Sequence, residues 1–231
     1  MTFTEKSLRT EEKAIYLAPA EYIDSDHPAI RAFVAKNVTP GLSAADKARR
    51  FYLAAREIRY DPHLDYSDRE VYRASSVLEA GHAYCVGKAA LFAALCRAGG
   101  IPARVAFADV TNHLSSEKLR QKMSTNYFAW HGFTELFLDG RWVKASPTFN
   151  STLCSRFGVA PLDFDGAADA LLQAYDGEGR TFMRYEVLHG SFHDVPAKFL
   201  MAEMPRLYPQ LKGKRGASAG GMEFETPIAS S

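Results

Sequence analysis

Apolar positions recur at helical spacing along the first part of the chain and alternate along its middle. Ile30, Phe33 and Val34 share a helical face behind Ser25-Asp26-His27-Pro28, where a proline is tolerated in the first turn, and Pro40-Gly41 ends the segment. A second stripe, Ala48, Phe51, Tyr52, Ala55 and Ile58, follows Ser43 and Asp46, whose spacing resembles a capping box. Tyr60 to Ser75 is polar and holds Pro62 and several aspartates, which predicts a long surface loop of the kind that borders a functional cleft. Ser76 to Glu79 predicts one short helical turn ended by Gly81. The apolar run from Cys85 to Ala98 predicts a stronger helix stopped by Gly99-Gly100.

Beyond it, Ala103 to Val110 reads as a strand, and Thr111 to Asn126 is polar and charged. Tyr127 to Leu138 and Arg141 to Ser146 alternate around Asp139-Gly140, a strong hairpin signal. A two-residue loop sets Leu138 opposite Arg141, Phe137 opposite Trp142 and Glu135 opposite Lys144. The last two are an aromatic pair and an ion pair, each worth about 0.2–1 kcal/mol. The same register puts Phe133 opposite Ser146 and His131 opposite Thr148, with Ser146 and Asn150 diagonal to His131. A helix over Ala167 to Tyr175, a strand over Thr181 to Leu188 and a helix after Asp194-Val195-Pro196 complete the pattern. Lys212 to Ser231 is rich in glycine, serine and alanine and is expected to be a mobile tail. The expected organisation is one domain over residues 1–211, with a core at about 45–150 and an extension over 151–211. No internal repeat is visible.

Charge changes this picture little. The 28 basic and 27 acidic residues leave a formal net charge of +1, with no general pull toward nucleic acid or a membrane surface. The charged N-terminal stretch lacks the apolar run of a secretory signal, and no segment approaches the roughly 20 apolar residues of a membrane span. The three cysteines match no disulfide framework, so a reducing compartment, the cytoplasm, is expected.

Two residues carry candidate chemistry. Cys85 falls where a helix begins, and the unpaired N–H groups and positive dipole there favour a thiolate and can bind an oxyanion. Gly87, in the first turn, lets another backbone or a substrate come close. Cys96 and Cys154 read as structural. His131, on the first hairpin strand, is the candidate base, although a strand histidine is more often a hydrogen-bonded structural residue. His82, three residues before Cys85, is a weaker candidate. A metal site built from Cys85, His82 and His131 lacks any paired Cys-x-x-Cys spacing. No metal, calcium loop or other cofactor is inferred.

The stretch from Cys85 through Ile101-Pro-Ala-Arg-Val105 resembles the cysteine motif of the transglutaminase-like superfamily, and His131 through Pro147-Thr148 resembles its second motif. The likeness covers about half the chain and reaches back to the helix around Ala45 to Tyr60. It implies an α+β, papain-like fold with the nucleophile helix packed on an antiparallel sheet. It also implies acyl chemistry on a peptide or protein amide: His131 takes the Cys85 proton, and the thiolate attacks the carbonyl to give a thioester, released by water or an amine. Hydrolysis is favoured over crosslinking, and the alternative is a weak or inactive member that binds peptide. The missing Cys-x-x-Cys also disfavours the zinc-containing deglycosylating branch.

One position departs from the family pattern. Its aspartate falls here on Ser146, whose hydroxyl can orient an imidazole but cannot stabilise imidazolium as a carboxylate does. Asn150 is the alternative third residue by register, unless Pro147 breaks the ladder first. Asp163 or Asp165 could also fold back.

Overall fold

The computed structural model describes residues 10–112, 126–171 and 183–209. Helices α1 (Thr10–Ile15), α2 (Pro28–Asn37), α3 (Ala44–Glu57), α4 (Ala74–Ala80) and α5 (Cys85–Ala98) come first, with the two-residue strands β1 (Arg59–Tyr60) and β2 (His82–Ala83) among them. β3 (Ala103–Asn112), β4 (Tyr127–Leu138), β5 (Arg141–Ala145) and β6 (Met183–Phe192) follow. Helix α6 (Ser151–Phe157) lies between the last two, and α7 (Ala197–Leu207) comes after them. The large sheet is antiparallel throughout, ordered β5-β4-β3-β6. The α+β expectation, with the cysteine helix packed on an antiparallel sheet, is met.

Helix α5 is buried because it has almost no polar face. Residues from Val86 to Arg97 are all buried, with β3 and β4 on one side and α2, α3 and α4 on the others. Fully buried Leu91, Phe92 and Leu95 each contribute roughly 1.5–3 kcal/mol. Its two basic side chains donate to carbonyls. Lys88 Nζ donates to Arg56 O at 2.8 Å and Ile58 O at 2.6 Å, at the end of α3. Arg97 donates to Ala103 O, Ala18 O and His193 O.

The hairpin register is the expected one, from Leu138 opposite Arg141 to Thr134 opposite Ala145. Phe137 and Trp142 pack at 5.5 Å. The expected Glu135–Lys144 ion pair does not form, because Arg104 Nε on β3 reaches Glu135 Oε2 at 2.6 Å and Ser191 Oγ donates to the same oxygen. The ladder stops at Ala145, before Pro147, so the pairings of Ser146 with Phe133 and Thr148 with His131 are absent.

Other expectations need correction. Tyr60 to Ser75 is not all loop: Tyr60 lies on β1, a 3-10 turn covers Arg69–Tyr72, and α4 starts at Ala74, before the expected Ser76. Gly81 does end α4, in the left-handed region at φ 69°. Ala167 to Leu171 is not helical. Asp165 Oδ1 accepts the Ala167 and Ala168 N–H groups, and Ala170 bridges Ala145 instead. Helix α6 was not expected; Ser151, its first residue, is held by Glu57. The rest of the expected 167–175 helix, the start of the strand at 181 and the tail over 212–231 lie outside the described residues.

Candidate active site

Gly81 turns the chain out of α4, the β1–β2 pair fixes the next two residues, and Tyr84 enters α5 without a side-chain cap. Cys85 thus stands at an uncapped helix start. Gly87 permits the tight packing behind it: a Cβ there would meet Val71 O at 2.6 Å and Val77 Cγ2 at 2.9 Å. The close approach made possible by Gly87 is therefore to backbone and core.

The cysteine keeps some surface on a cleft while its thiol is enclosed by protein. Burial pushes the thiol up to about 11, and hydrogen bonds from the N–H groups of Gly132, Val86 and Cys85 itself only partly offset this. The helix-start donors expected from the sequence are present, but desolvation outweighs them, so the resting group is a thiol rather than a thiolate.

β4 brings His131 to the same cleft. Gly132 lets the strand press against α5, since a Cβ there would lie 2.9 Å from Val86 Cα. The imidazole is buried, and burial lowers it to about 3, so the ring is neutral at physiological pH. His131 Nε2 lies 3.1 Å from Ser146 Oγ, which lies 2.9 Å from Thr148 Oγ1. The Ser146 backbone is fixed on both sides: its N–H donates to Ala170 O, and its carbonyl accepts from Tyr52 Oη on α3.

The sequence candidates for the third position therefore separate. Ser146 meets His131. The Asn150 amide oxygen accepts the Tyr60 N–H at 3.1 Å instead. Asp163 pairs with Arg56 at 2.6 Å, and Asp165 caps the turn after it. His82 Nδ1 stands 3.5 Å from Asp61 Oδ2. Among the described residues, no hydrogen bond joins Cys85 Sγ to His131, and no three His, Cys, Asp or Glu side chains gather as a metal set.

The cleft, with its open mouth counted, spans about 840 Å³ and is walled by aromatic rings, including Tyr60, Tyr66, Trp130, Phe149 and Tyr208. No aspartate, glutamate, lysine or arginine lines it among the described residues. Sequence reading missed this aromatic wall because its residues come from distant segments.

The model of the transglutaminase-like superfamily matches residues 31–147, which is 117 of the 231 residues. The chain belongs to the transglutaminase-like superfamily. The match spans α5 and all of strands β1 to β5 and ends at Pro147, so this transglutaminase-like chain holds Cys85, His131 and Ser146 inside the family region and Asn150 outside it. No curated protein matched the chain. A solved chain from Cytophaga hutchinsonii, provisionally assigned as a cysteine protease, is similar at 17% identity with a TM-score of 0.45. That likeness covers 82% of this chain and 50% of the other, so the transglutaminase-like chain spans about half the length of that solved relative. No helix among the described residues is long and apolar enough to cross a membrane.

Proposed function

We propose that the protein is a cysteine-nucleophile enzyme that transfers the acyl group of a peptide or amide through a thioester on Cys85, with water as the favoured acceptor. The observation that carries this reading is the shared cleft: Cys85 at an uncapped helix start and His131, bonded through Nε2 to Ser146, line the same cavity. With Ser146 accepting from Nε2–H, the lone pair sits on Nδ1, the tautomer a base toward the thiol requires. Ser146 and Thr148 then act as a neutral orienting pair.

Because the thiol is raised and the imidazole lowered, the resting pair is neutral. His131 closes on the thiol as substrate enters, takes its proton, and the sulfur attacks the carbonyl carbon. The N–H groups of Cys85, Val86 and Gly132 surround the sulfur and supply donors for the charge that develops. The imidazolium returns its proton to the leaving amine. Water, deprotonated by the same ring, then cleaves the thioester and regenerates the thiol. The uncharged, aromatic lining favours an apolar acyl donor. A reducing cytoplasmic setting suits a free reactive thiol.

A second reading, a weak or inactive peptide-binding member, is favoured by the serine at the third position. Labelling separates the two. A small electrophile at neutral pH is expected to alkylate Cys85 well ahead of the fully buried Cys96 and Cys154, and His131→Ala is expected to slow it. Slow labelling of all three cysteines overturns the active-thiol reading.

A further inference from the structure

β4 bulges opposite Asp109, and β6 bulges on either side of the Ala108–Asp109 pair, once between Phe107 and Ala108 and once between Asp109 and Val110. On β4, His131 faces Ala108 and Phe128 faces Val110, so Ala129 and Trp130 stand against the single residue Asp109. On β6, Gly190 faces Phe107 and Leu188 faces Ala108, which leaves His189 as an extra residue. The β4 bulge and the His189 bulge converge. The Trp130 indole lies flat on the His189 imidazole, 4.1 Å away and tilted by 13°, with Phe199 edge-on to the indole at 4.7 Å.

A bulge frees backbone donors from the ladder, and here side chains take them. The Trp130 N–H donates to Asp109 Oδ1 at 3.0 Å, and the Ala129 N–H donates to Tyr208 Oη at 2.7 Å. Asp109 Oδ1 also meets His189 Nε2 at 2.6 Å, and its Oδ2 accepts from Tyr127 Oη at 2.6 Å. Burial pushes this carboxyl upward, but the bonds from Tyr127, His189 and Trp130 prevail and hold it below its ordinary range.

Trp130 pays for this with φ of 59°, in the left-handed region that a bulky residue avoids. Such a conformation persists only where its surroundings over-determine it, and bulges beside functional sites re-aim a neighbouring side chain. The neighbour is His131.

We propose that Asp109, with Trp130 and His189 stacked above it, is a positioning device that sets the ring of His131 for its reaction with Cys85. The inference rests on the reading of Cys85 and His131 as nucleophile and base. Ser146 fixes only the far nitrogen of the ring. Where the ring starts from is fixed by the backbone just before it, and Asp109 and Tyr208 hold that backbone. The cluster acts through His131.

The test is the rate of Cys85 alkylation by iodoacetamide at pH 7, read on the Cys85 peptide by mass spectrometry, beside the thermal midpoint of each variant. Asp109→Ala is expected to slow labelling by about tenfold while the protein still unfolds cooperatively, and to add nothing in the His131→Ala background. Asp109→Asn keeps an oxygen for the Trp130 N–H and is expected to recover most of the rate. An Asp109→Ala rate within about twofold of wild type, or an equal slowing with and without His131, overturns the proposal. If Asp109→Ala does not fold, His189→Ala, which removes the stack and one bond to Asp109, is judged by the same criteria. Failure of the underlying reading is separately visible: wild-type Cys85 then labels no faster than Cys96 or Cys154, and His131→Ala changes nothing.

Discussion

Lowering the pH is expected to unfold this protein partly through His131. The ring is lowered from the usual 6.5 to about 3 by burial, and among the described residues no carboxylate faces it to offset that cost. Between those two values the unfolded chain binds a proton at this residue that the folded chain refuses, so acid favours unfolding. The contribution is absent above the unfolded value and grows as pH falls toward the folded one. At pH 5 the gap is about 1.5 units, or roughly 2 kcal/mol at about 1.4 kcal/mol per unit. That is a large share of the 5–15 kcal/mol typical of a domain. Guanidinium unfolding at pH 7, 6 and 5, in wild type and His131→Gln, isolates the effect. Glutamine keeps an N–H for Ser146 but does not titrate. Glu57, Asp109 and Asp165, which also lose stability in acid, are common to both proteins and cancel in the difference. Wild type is expected to lose roughly 2 kcal/mol more than the variant from pH 7 to pH 5. Parallel profiles would refute a buried, neutral His131, and with it the neutral resting pair.

Three further outcomes follow from the site. Gly132→Ala sets a methyl 2.9 Å from the Val86 Cα, a backbone atom, and is expected to cost about 1–3 kcal/mol in denaturant unfolding and to slow Cys85 labelling. Rescue by Val86→Ala would show that the Val86 side chain, 3.1 Å away, rather than the backbone contact sets the limit. Ser146→Ala removes the Nε2 partner and is expected to slow labelling by roughly tenfold, the equivalent of one ordinary hydrogen bond. Asn150→Ala orphans the Tyr60 N–H and is expected to cost about 1–3 kcal/mol of stability with labelling unchanged. The reverse pair of results would return Asn150 to the third position.

What could be read from the sequence was local. The helix from Cys85 to Ala98 and the hairpin around Asp139-Gly140 follow from composition and turn chemistry within a few residues, and both stand where expected. The third residue was not local. Whether Ser146 or Asn150 meets His131 depends on where Pro147 ends the ladder and on Ala170 arriving beside Ala145 from a distant segment. Helix α6, Ser-Thr-Leu-Cys-Ser-Arg-Phe, has no clear apolar stripe to announce it, and Glu57 anchors its start. The double bulge had one signal available: Asp109 is an acid inside an otherwise apolar strand, Val105-Ala-Phe-Ala-Asp-Val110. A buried strand rarely carries a carboxylate unless donors are waiting for it.

The link from Lys88 to the end of α3 also bears on protein engineering. The Cys85 helix is a tempting unit to transplant into a designed scaffold, yet its fully buried Lys88 amine, which burial lowers to about 7, ends on two carbonyls that belong to Arg56 and Ile58. Moved alone, the helix would carry a solvent-starved amine without its carbonyl partners into its new home. The portable module is therefore the pair, α3 through Ile58 together with α5, and any chimera should inherit both or replace Lys88 with an apolar side chain.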